Sequence, residues 1–373
     1  MIVRQFLLWV RTAPEATRGK AMSALAGAYL RSDLGAADRA EIEAALPGLL
    51  ADPSPTVRLA LVEALCRHPL VPADVALRLA RLEGEPGQLM LACSPVLNER
   101  ELIEFCEAGD ATRQAAIASR ARLPAPVAAA LSETGHAAAC LALVRNASAD
   151  IPGFALGRIV SRHGHHGAIR EALLARPDLP AAAHYAVIRA VAGTLSAFVA
   201  QRQWLAPDVA ARVAREACDS AVVETAARQG ADVRALVETL QSQSQLTPAL
   251  ALRALLSGQV RLFLESVSVL SGLPTDRIAA LAADRSGEAF RVLYSRIGLP
   301  SGAYLAFRTA LEVVQREDYL DEAEDEAGLK RRIVDTVLER YAAEGARGNQ
   351  LVGVLERWKQ EAAREAQTRR EAA

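Results

Sequence analysis

With 373 residues, 51% of them apolar and only 4% aromatic, the chain has ample material for an extended core and little for aromatic base-stacking platforms. Its 43 Lys and Arg against 44 Asp and Glu leave a formal net charge of −1, which excludes a global field drawing it to nucleic acid or anionic lipid and leaves room only for a local patch.

The chain opens on Met1-Ile-Val-Arg-Gln-Phe-Leu-Leu-Trp-Val, in which an apolar run of five residues is bounded by Arg4 and Arg11. That run is shorter than the apolar region of a signal peptide. No later stretch reads as the ~20 apolar residues that a membrane span needs, so a cytoplasmic protein with no membrane span is expected. Residues 1–48 read as an N-terminal helical cap built from Phe6 to Val10, Ala21 to Leu30 and Ala37 to Leu46.

From residue 49 a period takes over. Pro72, Asn98, Pro124, Pro152, Pro180 and Pro207 stand 26, 26, 28, 28 and 27 residues apart, and after a gap of 41 the rhythm resumes at Pro248, Pro274 and Pro300. Seven residues beyond these nine anchors stand Leu79, Phe105, Leu131, Ile159, Val187, Ala214, Leu255, Leu281 and Phe307, all apolar. A fixed period in this range is the signature of stacked helical repeats. In the unit beginning at Leu123-Pro124, proline suits the start of a helix, and Val127 and Leu131 share one face. Gly135 closes that helix, and His136 to Val144 forms a second, with Cys140, Leu141 and Val144 turned inward. Glycine recurs at this mid-unit turn as Gly84, Gly109, Gly164 and Gly258.

The first array is read as residues 49–230 and the second repeat segment as 231–315. The long gap accommodates an inserted helix, with Ala221 to Gln229 and Ala231 to Gln241 both helical in pattern. Residues 316–373 read as an acidic linker, Glu317 to Glu326, and C-terminal amphipathic helices. The tail stripes include Val337, Tyr341, Leu351, Leu355 and Trp358, which either cap the stack or join two copies as a homodimer.

Within Leu50 to Leu65, the order Asp52-Pro53-Ser54-Pro55-Thr56-Val57-Arg58 resembles the second-helix signature of HEAT repeats. The shorter units that follow are more similar to leucine-rich-repeat variants. With Ala28 to Leu34, Ser94 to Leu97, Gln114 to Ala118 and Cys140 to Leu143, the chain resembles, over residues 1–310, the alphaproteobacterial HEAT-like family catalogued as domain of unknown function 2336. The resemblance implies an all-α superhelical solenoid of short helix pairs and supplies no catalytic residue.

Little else in the chain suggests chemistry. Cys66, Cys93, Cys106, Cys140 and Cys218 form no C-x-x-C pair and read as small core residues. His163, His165 and His166 have the composition of a Zn²⁺ or Ni²⁺ site but occupy a mid-unit turn without a nearby carboxylate or cysteine at ligand spacing, so neither metal nor cofactor is expected. Asp276, Asp284 and Glu288 cluster in sequence at positions suited to solvated helix faces. Phosphate-loop, nucleophile-elbow and zincin motifs are absent. Arg120, Arg122, Arg145 and Arg176 recur along the array, Arg120, Arg122 and Arg176 just before the anchors, and are the candidates for a partner-binding edge. The expected function is a non-enzymatic scaffold for a protein partner. The alternatives are a HEAT-like nucleic-acid binder using the arginine edge, or an enzyme with no linear motif.

Overall fold

The anchors are helix starts. Pro72, Asn98, Pro124, Pro152, Pro180 and Pro274 are N-cap residues, and Pro207 and Pro248 are the first residues inside their helices. Proline suits both positions because its missing N–H falls where a helix has no internal acceptor. Asn98 replaces it with a capping box: its side chain accepts from the Glu101 N–H at 3.0 Å, and the Glu101 carboxylate accepts from the Asn98 N–H at 2.9 Å.

The computed structural model describes residues 8–9, 12–30, 35–228, 232–316, 326–344, 351–360 and 363. Among these the chain is all-helical, with one isolated parallel bridge, Leu123 to Ala149, and no strand. The helices form two compact units, Met1–Leu179 and Pro180–Ala373. The division falls ahead of two long helices that the sequence assigned to the first array.

The first unit contains α1 (Glu15–Tyr29), α2 (Ala36–Leu50), α3 (Pro55–Leu65), α4 (Ala73–Ala80), α5 (Glu85–Cys93), α6 (Glu99–Glu107), α7 (Ala111–Ala118), α8 (Ala125–Thr134), α9 (Ala137–Arg145), α10 (Gly153–His163) and α11 (Gly167–Leu174). Helices α3, α5, α7, α9 and α11 pack each on the next, and α6, α8 and α10 form a parallel row. Such short helices are marginal alone, so burial between neighbours supplies most of their stability. Leu79, Leu131 and Ile159 are fully buried, and each contributes about 1.5–3 kcal/mol of transfer free energy. On α9 the inward stripe is Ala139, Cys140, Leu143 and Val144, and the expected Leu141 is only half-buried. Residues 139 and 143, like 140 and 144, lie a helical turn apart, whereas 141 is rotated off that stripe.

At the N-terminal end, Arg18 pairs with both oxygens of Asp52 at 2.9 and 3.1 Å, joining α1 to the start of α3. Of the expected helix Phe6 to Val10 only Leu8 and Trp9 are described, and the acidic residues Glu317 to Asp325 lie outside the described residues.

The second unit contains α12 (Ala181–Gln201), α13 (Pro207–Ala226), α14 (Val233–Ser242), α15 (Pro248–Leu256), α16 (Val260–Ser271), α17 (Thr275–Ala283), α18 (Glu288–Arg296), a 3₁₀ turn (Ser301–Ala303), α19 (Tyr304–Arg316) and α20 (Glu326–Ala343). Residues 351–360 are also helical. Ala221 belongs to the long α13, and the 41-residue gap holds two helices, α13 and α14, so its extra length lies in α13 and not in the expected inserted helix. Every residue from Leu250 to Leu256 of α15 is buried, including Arg253, so this helix is central to the unit's core. Phe263 lies 6.4 Å from Phe290 and 6.0 Å from Phe307 between ring centroids. Val337, Tyr341 and Leu355 are buried in the same core, and Leu351 and Trp358 pack against it. The tail stripes are therefore covered by their own unit.

Helix α12 stands apart in length and composition. By length and composition alone its 21 residues could cross a membrane: the mean hydropathy reaches 1.3 over 18 of them, and 17% of those are buried. Arg189, in mid-helix, interrupts the apolar run and hides this property from a search for unbroken hydrophobic sequence.

Candidate functional site

The four arginines of the sequence-defined edge line two grooves of the first unit. One, of about 620 Å³, is bounded by Arg67, Arg120 and Arg122 together with Glu99, Leu97 and Pro95. The other, of about 590 Å³, is bounded by Arg145 and Arg176 with Glu171, Asp178 and Val144. Arg120 and Arg122 thus share one groove, and Arg145 and Arg176 share the second.

The four side chains play two different parts. Arg120 is buried and donates to the backbone carbonyls of Leu91 and Ser94, one period earlier. Burial lowers its pKa from the usual arginine value, and the two carbonyls supply the polar contacts that a buried guanidinium requires. Arg176 likewise donates to the carbonyls of Val144 and Asn146 at 3.0 and 3.2 Å, and its other edge meets Asp178 at 2.7 Å. The Arg176 guanidinium, as the main cause, holds the Asp178 carboxyl below its ordinary pKa. By contrast, Arg67, Arg122 and Arg145 are exposed, which makes them the groove cations open to a ligand.

Residues outside the predicted edge add contacts between successive helix pairs. Asn146 donates to the carbonyls of Ala118 and Arg120 at 2.8 and 2.7 Å. Buried Gln114 donates to the Cys106 carbonyl at 2.7 Å and accepts from the His136 N–H at 2.9 Å. These donors meet carbonyls at or near helix C-termini, where intrahelical partners run out. The sequence signal was phase: Asn146 directly follows Arg145 and, like Arg120 and Arg176, precedes an anchor by a few residues.

The histidines repeat the same device. His136 meets the Gly109 carbonyl at 3.0 Å, and His163 meets the Gly135 carbonyl at 3.0 Å. Burial, as the main cause, lowers the pKa of His163. His165 and His166 have ring centroids 4.0 Å apart, whereas His163 stands 6.5 and 6.1 Å from them. Among the described residues no group of three or more His, Cys, Asp or Glu side chains is arranged to hold a metal ion. All five cysteines are free thiols.

A family model described as an uncharacterised protein conserved in bacteria (DUF2336) matches residues 88–347. The chain belongs to this family. No curated protein and no solved structure matches it. The DUF2336 match begins within α5 and extends beyond α20, so it takes in the second groove, most of the first, and both long helices. The HEAT-like segment at Asp52 lies ahead of it.

Proposed function

We propose that the chain is a non-enzymatic scaffold, a superhelical solenoid of helix pairs that binds a protein partner along the arginine-lined grooves. Row-on-row packing of α3, α5, α7, α9 and α11 supports the solenoid reading, as do side chains that reach back one period to clamp the preceding unit. Clamped units offer a preformed surface, so little ordering entropy opposes binding.

The observation that carries the protein-partner reading is the mixed lining of both grooves. Exposed Arg67, Arg122 and Arg145 stand beside Glu99, Glu171 and Asp178, with Leu97, Pro95 and Val144 as apolar walls. A polypeptide segment supplies carboxylates, cations and apolar side chains to match. A phosphate backbone would meet those carboxylates as like charges.

Affinity capture from a native cell extract, with and without nuclease and at two salt concentrations, tests this. A defined protein retained through nuclease and moderate salt, and lost with Arg122→Glu or Arg145→Glu, is the expected result. Nucleic acid that is released steeply by salt overturns it.

A further inference from the structure

Helices α12 and α13 pack along each other as a hairpin whose two halves differ in burial. In the half remote from the connecting loop, Ala183, Tyr185, Val187, Cys218, Val222 and Thr225 are buried. In the half beside the loop, Val191, Leu195, Phe198, Trp204, Leu205 and Val213 are exposed. They are six of the twelve exposed large apolar side chains among the described residues, gathered on one structural feature. Val191, Leu195 and Phe198 are spaced four and three apart, so they share a face, which Arg202 extends. The Trp204 ring meets Phe198 edge-on at 5.8 Å, and the Arg202 guanidinium lies 5.3 Å from the Phe198 ring centroid.

Charge around this head is mostly positive, with Asp208 the one carboxylate from Leu179 through Arg215. Leu179 through Pro207 contains no Asp or Glu, while Arg189 and Arg202 lie within it and Arg212 and Arg215 follow beyond Asp208. Three donors of the turn are paired within it: Arg202, Gln203 and Trp204 give their N–H groups to the carbonyls of Phe198, Ala200 and Val199 at 3.0, 3.0 and 3.1 Å. Gln203 makes this reversal in the left-handed region, at φ 58°, and Pro207 has no N–H to satisfy. Apolar side chains beside these paired donors enter a lipid interface without stranding them.

We propose that the hairpin head docks on an anionic lipid surface. Phe198, Trp204 and Leu205 enter the boundary between headgroups and acyl chains, where tryptophan is favoured, and Arg202, Arg212 and Arg215 pair with lipid phosphates. A second copy is the poorer occupant, because two heads would bring together Arg189, Arg202, Arg212 and Arg215 of each with only Asp208 of each to offset them. The inference goes beyond the groove-binding scaffold and does not depend on it.

The test uses full-length protein and vesicles of phosphatidylglycerol with phosphatidylethanolamine, against vesicles of phosphatidylcholine alone. Cosedimentation with the anionic vesicles is expected, falling about tenfold or more on the neutral ones and with Phe198→Ser/Leu205→Ser or Arg202→Glu. A Trp9→Phe/Trp358→Phe variant leaves Trp204 as the only tryptophan, and its emission should shift blue and be quenched by brominated acyl chains. Cosedimentation of the unaltered chain serves as the readout should that variant fold poorly. Arg122→Glu should leave vesicle binding unchanged, which separates this inference from the groove reading. Absence of cosedimentation overturns it. So does self-association in place of vesicle binding, abolished by Phe198→Ser.

Discussion

Arg176 donates to the backbone carbonyl of Asn146 at 3.2 Å, while the side-chain amide of Asn146 donates to the backbone carbonyl of Arg120 at 2.7 Å. Arg120 in turn reaches the carbonyl of Ser94 at 2.5 Å, so four residues form a ladder from unit to unit. Each rung gives donors to carbonyls at or near a helix C-terminus and so links the order of one helix pair to that of the one before it. A side chain that rigidifies the array here is the same side chain that borders a groove.

Asn146→Ala removes two donors and leaves the Ala118 and Arg120 carbonyls short of partners. A loss of about 1–3 kcal/mol is expected in urea denaturation. Arg145→Ala, one residue earlier on an exposed side chain, should fall within about 0.5 kcal/mol of wild type. Equal effects of the two substitutions would show that the ladder is not what holds these units.

The helix starts were legible because three independent signals coincide: a helix-starting anchor, an apolar residue seven positions on, and a turn between. Leu79, Leu131, Val187 and Phe307 are all buried as that pattern requires. The site was legible only by position. Phase placed Arg120 and Arg176 at the repeat edge, but a linear sequence does not distinguish a guanidinium bound to the previous unit's carbonyls from one open to a ligand. The hairpin head was missed for a different reason. Val191, Leu195 and Phe198 have the spacing of an ordinary core stripe, and only the three-dimensional packing leaves them, with Trp204, exposed among the described residues.

The mid-unit glycines divide into two physical classes. Gly109 holds φ +79°, a left-handed conformation that L side chains seldom adopt, whereas Gly135 has an ordinary φ of −63°. At Gly135 a Cβ would stand 2.4 Å from the Leu131 carbonyl oxygen. Gly109→Ala should therefore cost about 1 kcal/mol through backbone strain, and Gly135→Ala about 1–3 kcal/mol through overpacking. Gly157, inside α10 with open space at its Cβ position, should gain roughly 0.5–1 kcal/mol on replacement by alanine. Thermal melts of the three variants check the ordering, and a stabilised Gly135→Ala would contradict the close approach.

Burial pushes the Cys140 thiol up to about 11 and, aided by Glu107, the Cys106 thiol to about 12. Burial is also the main cause raising Cys66 and Cys218, while Cys93 is only half-buried. Since the thiolate is the reactive form, a disulfide reagent at pH 8 should modify Cys93 first in the native protein and all five thiols after unfolding. Rapid modification of Cys106 or Cys140 in the folded chain would mean that the repeat core opens readily.

Asp219, in α13 of the second unit, is the carboxyl whose titration should register in stability. Burial raises its pKa to about 6, against the opposing pull of Arg253 and Arg215. An unfolded aspartate titrates near 3.9, so between roughly pH 4 and 6 the folded chain holds a proton that the unfolded chain has released. The corresponding stability is fully present below the unfolded value and is lost as pH rises through about 6. Asp219→Asn removes that loss, so the variant should exceed wild type at pH 7 by on the order of 1–3 kcal/mol and converge with it near pH 4. Urea unfolding of both proteins across this range decides the matter, because an unchanged slope in Asp219→Asn would assign the pH dependence to other groups.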